Sequence, residues 1–186
     1  MVLKRFASKN KAFILSILLS IGAFFVTFLP PQNSLALEGD WTAGASPAAF
    51  IMPQNAIYGA GTDLFARYSV LDGLDIGGGF GIYGAKNTKA NKALGIYSLR
   101  VGAVYNLDIL QWVPSAGIHL SALFSEDKLE KWHREGNGLA IDFDLSVQYR
   151  GIRHWGIGAF FSYHLVFTDD DYMTVGLIIQ WYSGRF

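Results

Sequence analysis

The sequence lacks cysteine altogether. It therefore holds no disulfide framework, no thiolate metal site, no cysteine nucleophile and no lipid-modified N-terminal cysteine. Charged residues are also sparse, at 16% of the 186 residues, and basic and acidic side chains are equal in number at 15 each. Long apolar runs are missing after residue 30, so the remainder of the chain contains no stretch of the ~18 apolar residues that a transmembrane helix needs.

Apolar and aromatic residues are nevertheless abundant. They make up 51% of the chain, with 14 phenylalanines, 9 tyrosines and 5 tryptophans, and there are 21 glycines. An apolar composition without apolar runs means that the hydrophobic residues are dispersed, most simply by alternation with polar ones.

Residues 1–36 have the pattern of a secretory signal peptide. Four basic residues precede an apolar core over 13–29, and two prolines end that core. Ser34 and Ala36 then place small residues three and one positions before a cut, which predicts Leu37 as the mature N-terminus. A retained signal-anchor helix is the alternative. Cleavage removes four of the 15 basic residues and none of the 15 acidic ones. The resulting net charge of −4 gives no electrostatic reason to expect nucleic-acid binding.

The dominant pattern after residue 37 has a period of two. Between residues 139 and 150, every odd position is apolar, while the even positions include Asp142, Asp144 and Arg150. Successive side chains of a strand point to opposite faces, so this alternation indicates a β-strand with one apolar and one polar face.

The same alternation predicts seven further strands, over 40–51, 58–70, 75–82, 97–106, 112–124, 154–167 and 173–181. Pro47 interrupts the first of them, where an edge position or a bulge would tolerate a proline. The total of eight strands matches the ~10-residue alternating segments of membrane barrels. A lipocalin-like barrel or a sandwich is the soluble alternative. It fits poorly, because the face opposite the apolar one is mostly glycine and serine and could not coat a soluble protein.

The connections between the strands are predicted to alternate in length. Short turns are predicted at 71–73, 108–110 and 151–153, and longer polar loops at 85–92, 125–138 and 168–172, with a brief link at 52–55. Short periplasmic turns and longer outer loops are typical of outer-membrane barrels. An even number of strands then places both chain ends on the periplasmic side.

Aromatic residues concentrate at the predicted strand ends, where girdles at the two membrane interfaces would need them. These residues are Trp112, Tyr149, Trp155, Phe167, Trp181 and Tyr182.

The signal peptide, the eight alternating segments, the mature length near 150 residues and the terminal Phe186 together resemble small bacterial outer-membrane barrels of the OmpA transmembrane domain, OmpX and OmpW kind. Residues 64–77 also resemble a hairpin common in such proteins. The resemblance implies an eight-stranded antiparallel up-and-down transmembrane β-barrel over residues 37–186, located in the outer membrane. It also implies that the barrel-assembly machinery recognises Phe186. Phe186 has the opposite parity to the apolar face of the last strand, which predicts a bulge or strand end near 183–184.

Eight strands enclose an interior that side chains can just fill. The inward positions carry polar residues: Asp63, Arg67, Asp75, Arg100, His119, Asp142, Asp144, His164 and Gln180. Counting residues from the nearest short turn places five of them at one level, namely Asp63, Arg100, His119, Asp142 and Asp144. We predict an ionic cluster in which Arg100 bridges acids of other strands and lies beside His119, because unpaired charges in a dry lumen cost several kcal/mol each.

The predicted function is therefore structural, or an interaction with the cell surroundings through the outer loops, with a plugged polar lumen. The alternative is a narrow, low-conductance channel, for which inward glycines would leave space beside the second and third strands. These glycines are Gly59, Gly61, Gly77, Gly79 and Gly81. An apolar-solute conduit of the OmpW kind would instead need an apolar lumen.

A lipid A-modifying enzyme is the third possibility. His119 and Ser121 resemble the His-x-Ser pair of PagL-type deacylases, with Glu126 or Glu130 as partners. The residues after Ser121 are Ala-Leu where that family has Asn-Ala, and both side chains should point inward, away from the lipid. An enzyme is therefore not predicted.

The loops carry two charge patterns. Basic residues at the outer rim offer partners for lipopolysaccharide phosphates. They are Lys86, Lys89, Lys92, Lys128, Lys131 and Arg134. The acidic run 169–171 could bind the divalent ions that bridge those phosphates. Ordinary solvated loop residues are the alternative for both patterns. We predict a monomer with no cofactor and no resident metal.

Overall fold

The computed structural model describes residues 39–89, 91–107, 111–125, 138–152, 154–167 and 170–184. These residues form eight antiparallel strands that pair in chain order and close into a barrel through β1 and β8. The strands are β1 Trp41–Met52, β2 Ile57–Leu71, β3 Leu74–Asn87, β4 Lys92–Asn106, β5 Trp112–Ser125, β6 Leu139–Ile152, β7 Trp155–Val166 and β8 Tyr172–Tyr182. Among the described residues, no helix is long and apolar enough to cross a membrane.

The barrel is apolar outside and largely polar inside. Leu99, Val101, Leu120 and Leu177 are among the large hydrophobic side chains exposed on its exterior, whereas charged and amide side chains such as Asp63 are buried in the lumen. This inversion follows from the alternation in the sequence, because each strand turns one parity outward and the other inward. The predicted fold class, an eight-stranded antiparallel up-and-down transmembrane barrel, is confirmed. The predicted signal peptide over residues 1–36 lies outside the described residues.

The connections define two ends of the barrel. The turn end carries the start of β1, the end of β8 and the connections at 72–73, 107–111 and 153–154, and the loop end carries those at 53–56, 88–91, 126–138 and 167–171. The predicted alternation in length is only partly correct. The expected long loop at 85–92 is four residues, because β3 runs on to Asn87 and β4 begins at Lys92. The contrast between the two ends therefore depends mainly on the thirteen-residue connection 126–138.

Pro47 lies within a continuous β1, and the closed barrel offers no edge to accommodate it. Instead the pairing of β1 with β8 is interrupted locally. It runs to Ala45↔Ile179 and resumes at Ala48↔Gly176. Because proline has no N–H to donate to a ladder, this gap falls where a hydrogen bond cannot form.

An aromatic girdle surrounds the turn end. Trp41 packs on Tyr68 and Trp112 on Tyr149, with ring centroids 5.1 and 5.2 Å apart, and Trp155 pairs with Trp181 across β7 and β8. Phe167 lies at the opposite end and is exposed. The prediction that Tyr182 belongs to a girdle is wrong. Its parity matches that of the inward residues of β8, and its side chain is buried in the lumen.

The register between β4 and β5 corrects one sequence prediction. Arg100 pairs with Ser121, and His119 pairs with Gly102, so Arg100 and His119 are not direct cross-strand partners. The prediction placed the turn centre at 109–110, whereas Asn106 pairs with Ser115 and the centre lies one residue later. A shift of one residue at the turn moves every partner across it by two positions, which preserves the face but changes the level.

Candidate functional site

The lumen contains all five residues that the sequence grouped together. Arg100 and the side chains of Asp63, His119, Asp142 and Asp144 all point inward and are largely or fully buried. They divide into two adjacent groups. One is centred on Arg100 and the other, closer to the loop end, on Asp142.

Arg100 lies between two carboxylates from opposite sides of the barrel. Its Nη2 is 3.6 Å from Asp63 Oδ2, and its Nη1 is 3.9 Å from Asp144 Oδ2. His119 Nδ1 lies 2.8 Å from the same Asp144 oxygen. Tyr83 donates a 2.5 Å hydrogen bond to Asp63 Oδ2. Each charge of this group thus has a partner on another strand, so the group ties β2, β3, β4, β5 and β6 together across the lumen.

Asp142 forms the second group without contacting Arg100. Its Oδ1 accepts a 2.7 Å hydrogen bond from Ser121 and lies 2.8 Å from His164 Nδ1. His164 Nε2 is in turn 3.1 Å from Thr174 Oγ1. His164 was recognised as inward from its parity but was not placed in the cluster. Tyr83 was not identified from the sequence. Its parity could have shown that it faces the lumen, because it lies two residues after the inward Gly81 on the same strand.

An apolar layer closes the lumen between the Asp142 group and the loops. We call it the loop-end plug, and it consists of Phe50, Met52, Ile57, Ala85, Ile96, Ala140, Val166 and Tyr172. Phe50 is fully buried, with its ring centroid 4.9 Å from that of Tyr172 and 5.5 Å from that of Tyr83. The Tyr172 ring stacks on His164 at 3.9 Å. The prediction of a polar lumen therefore holds for the middle and the turn end but not for the loop end.

Hydrogen-bonded side chains also fill the turn end of the lumen. Asp75 accepts hydrogen bonds from Ser69 at 2.6 Å and from Asn106 at 2.8 Å. Arg150 donates a 2.6 Å hydrogen bond to the Tyr182 hydroxyl and also lies over its ring. Packing at both ends and an ionic middle leave the interior filled by side chains, as expected for eight strands.

The inward glycines of β2 and β3 do not lie beside empty space. A Cβ on Gly61 would lie 2.6 Å from the Tyr83 ring, and one on Gly79 would lie 3.1 Å from Arg100 Nε. The expectation that these glycines leave space is wrong. They make room for the large side chains of neighbouring strands, a common use of glycine where other groups approach closely.

The Asp142 group contains a hydroxyl, an imidazole and a carboxylate in sequence, which is the arrangement that activates a nucleophile. Thr174, His164 and Asp142 are nonetheless buried, and the rings of Tyr172 and Phe50 lie between them and the loops. His119 and Ser121, the pair considered from the sequence, belong to different groups. His119 contacts Asp144, and the Ser121 hydroxyl donates a hydrogen bond to Asp142. Glu126 and Glu130 lie outside the described residues.

Two of the predicted rim lysines are described with their side chains. Lys86 is exposed and sits opposite Tyr58 in the β2–β3 register. Lys89 is also exposed, and its Nζ donates a 3.2 Å hydrogen bond to the carbonyl of Gln54 in the neighbouring connection. The described part of the chain does not include the side chain of Lys92 or the residues Lys128, Lys131, Arg134 and Phe186.

In the acidic run, Asp171 holds the loop-end connection of β7 and β8 together. It accepts hydrogen bonds from the Tyr163 hydroxyl at 2.8 Å and from the Val166 amide at 3.1 Å. Asp169 lies outside the described residues. In the part of the chain that is described, no group of three or more metal-ligating His, Cys, Asp or Glu side chains occurs.

Comparison with known proteins supports this architecture. No protein-family model and no curated protein matches the chain. Among solved structures, Neisserial surface protein A matches with a TM-score of 0.54 and 16% identity, covering 78% of this chain and 97% of that one. The Yersinia pestis outer-membrane protein Ail matches with a TM-score of 0.51 and 12% identity, covering 80% of this chain and all of that one. The chain has the fold of small outer-membrane β-barrel proteins. Its apolar exterior and aromatic girdle agree with a membrane-spanning barrel, because a barrel in lipid must present hydrophobic side chains outward.

The interior of the barrel is arranged in layers. The loop-end plug, the Asp142 group, the Arg100 group and the turn-end hydrogen bonds succeed one another along the lumen. The contacts within these layers therefore connect the strands across the lumen.

Proposed function

We propose that this protein is a plugged, non-enzymatic outer-membrane barrel that acts through its loop end, as a structural component of the membrane surface or in contact with molecules outside the cell. The observation that carries the proposal is the loop-end plug over the two ionic groups. A channel needs a continuous aqueous path, and here the rings of Phe50 and Tyr172 cover the Asp142 group.

The absence of conductance is the first expected result. Purified barrel inserted into planar lipid bilayers should give no single-channel steps, because the plug and the Arg100 group would both have to open. A large porin reconstituted in the same way serves as the positive control, and a gel-mobility shift between boiled and unboiled samples shows that the barrel was folded. Reproducible current steps from folded protein would exclude the plugged proposal and favour the narrow channel.

We further propose that the rim lysines contact lipopolysaccharide phosphates. Lys86 is exposed at the loop end, and its pairing with Tyr58 places an aromatic residue beside a cation, as is usual at a membrane interface. Charge-assisted hydrogen bonds from ammonium groups to phosphates are among the stronger polar contacts in proteins. By position in the sequence, the same proposal includes Lys92, Lys128, Lys131 and Arg134. We propose separately that the barrel-assembly machinery recognises Phe186.

Reversing the charge of Lys86 tests the lipopolysaccharide contact. We expect Lys86→Glu to weaken binding of lipopolysaccharide to the folded barrel about threefold to tenfold, because an exposed charge-assisted contact contributes about 1 kcal/mol. Binding is measured by the rise in thermal unfolding midpoint on titration with lipopolysaccharide. Asp72→Lys, a charge reversal in the β2–β3 turn at the other end, is the matched control. Equal binding by both variants and the unaltered protein would contradict the contact.

A further inference from the structure

A groove lies on the exterior of the barrel, across β4, β5 and the start of β6. Its volume is about 310 Å³. Arg100 and Ser121 border the groove, but their side chains point into the lumen, so only their backbone atoms reach it. The side chains that point outward into the groove are all apolar. They are Leu99, Val101, Leu120, Ala122 and Leu139. The groove is therefore an apolar depression in the surface that faces the membrane.

Ala122 forms the floor of this groove. It pairs with Leu99 on one side and with Leu139 on the other. These two leucines are 52% and 59% exposed, and Leu120, the preceding outward residue of β5, is 62% exposed. Ala122 also points outward, but it is half-buried because the longer side chains project beyond its methyl group. One small residue therefore creates the depression, and a bulky side chain at this position would fill it.

The groove runs from the loop end towards the middle of the barrel. Leu139 is the first residue of β6, whereas Val101 lies further towards the turn end of β4. On the loop-end side of Ala122, Tyr97 and Phe124 lie opposite each other on the same outward parity. Aromatic residues, tyrosine in particular, are typical of the membrane interface. The groove therefore begins near that interface and extends along the surface that contacts lipid hydrocarbon.

The size and chemistry of the groove fit a hydrocarbon chain. An apolar cavity of roughly 150 Å³ holds a benzene molecule, so the volume of about 310 Å³ accommodates a longer run of methylene groups. In a membrane, lipid tails are as apolar as leucine, so close packing rather than the hydrophobic effect decides what occupies a depression. A flexible chain packs against the leucines without bringing polar groups that the groove could not satisfy.

Lys86 indicates which lipid supplies the chain. It is exposed at the loop end of β3 and pairs with Ala93 of β4, the strand that forms one wall of the groove. Its ammonium group thus lies on the same side of the barrel as the groove, where it offers a partner for phosphate. We propose that the groove holds an acyl chain of lipopolysaccharide. The choice of this lipid rests on the lysine contact proposed above.

Photo-cross-linking of the full folded barrel in phospholipid nanodiscs tests the proposal. The probe is lipid A, the acylated part of lipopolysaccharide, with a diazirine in one acyl chain, and mass spectrometry locates the labelled residues. Leu99 should be labelled about threefold to tenfold more than Leu64 and Val175, because packing in the groove adds van der Waals contacts. All three residues are exposed and lie seven residues before the turn-end limits of their strands, so they are matched in depth.

Filling the groove should remove the enrichment. Ala122→Phe places a ring on its floor and should reduce the labelling of Leu99 to that of Leu64. Ala159→Phe, the same change at an exposed outward alanine of β7 outside the groove, should retain it. Both substitutions face lipid, and a gel-mobility shift shows that each variant is folded. Lys86→Glu is measured alongside them. Enrichment that persists in that variant supports the groove and contradicts only the lysine contact.

Four results would overturn the proposal. Equal labelling of Leu99, Leu64 and Val175 would show that the groove holds no chain in preference to the rest of the surface. Enrichment that survives Ala122→Phe would place the bound chain elsewhere. Equal enrichment with a phosphatidylethanolamine probe that carries the same diazirine chain would assign the groove to phospholipid. A dimer in the nanodiscs that Ala122→Phe separates into monomers would assign it to a second copy of the chain.

Discussion

Replacing Arg100 with methionine is expected to destabilise the folded barrel by about 3–5 kcal/mol, the cost of stranding buried charges that have lost their partner. Methionine keeps most of the length of the side chain, so the effect isolates the loss of charge from the loss of volume. Asp63 loses its cation altogether and retains only the Tyr83 hydroxyl, whereas Asp144 retains His119. The stability is measured by urea unfolding in detergent, followed by tryptophan fluorescence from the turn-end girdle.

The double variant Arg100→Met with Asp63→Asn separates the ionic explanation from a simple packing defect. Neutralising Asp63 removes the carboxylate that Arg100→Met leaves without a cation, so the double variant should recover a measurable part of the lost stability. Ile178→Met, a volume-similar change at a buried lumen position that has no polar side-chain atoms, serves as the comparison for overpacking or strain. If Arg100→Met unfolded at the same urea concentration as the unaltered protein, the Arg100 group would have no structural role. If the double variant were less stable than the single one, pairing of these charges would not be the source of the effect.

Alternation of side chains explains why so much of this barrel could be predicted. The parity of residues along each strand decides which side chains face the lumen, and the lumen residues predicted from the sequence, from Asp63 to Asp144, face it in the structure. Parity survives errors in strand length, because adding a residue to either end of a strand does not change the face of any residue within it. This is why β3 and β4 were oriented correctly although the loop between them was predicted too long.

The level of a residue along the lumen is a different quantity, and the sequence constrains it weakly. It depends on the register across each turn. At the 107–111 connection, the partners of Arg100 and His119 lie two positions away from the predicted ones. The plug was also missed, because its members are apolar residues on the inward parity near strand ends, where alternation gives way to all-apolar stretches. Phe50, Met52 and Val166 look like lipid-facing residues until the closed barrel brings them together.

Gly61→Ala is expected to destabilise the barrel by about 3 kcal/mol or more, or to prevent its folding. A methyl group at this position would point into the lumen, where it would collide with the backbone of β3 at Ile82 and lie 2.6 Å from both Cα and the ring of Tyr83. Overpacking of an interior costs about 1–3 kcal/mol when side chains can move, and more when backbone atoms block the space. The Tyr83 ring cannot move away freely, because its hydroxyl is bound to Asp63 and the ring packs against that of Phe50.

Gly84→Ala provides the matched control on β3, the strand that pairs with β2 beside Gly61. Gly84 is exposed, and a Cβ there would meet no atom within 4 Å. The same glycine-to-alanine change should therefore be neutral or stabilise the protein by up to about 1 kcal/mol, through the reduced freedom of the unfolded chain. Both variants are compared by the fraction that migrates as folded barrel on unboiled gels and by the urea midpoint of that fraction. If Gly61→Ala folded with a urea midpoint close to that of Gly84→Ala, the lumen beside β2 would have space for a methyl group, which contradicts the close packing around Tyr83. An open path through the barrel would then become the better reading of its inward glycines.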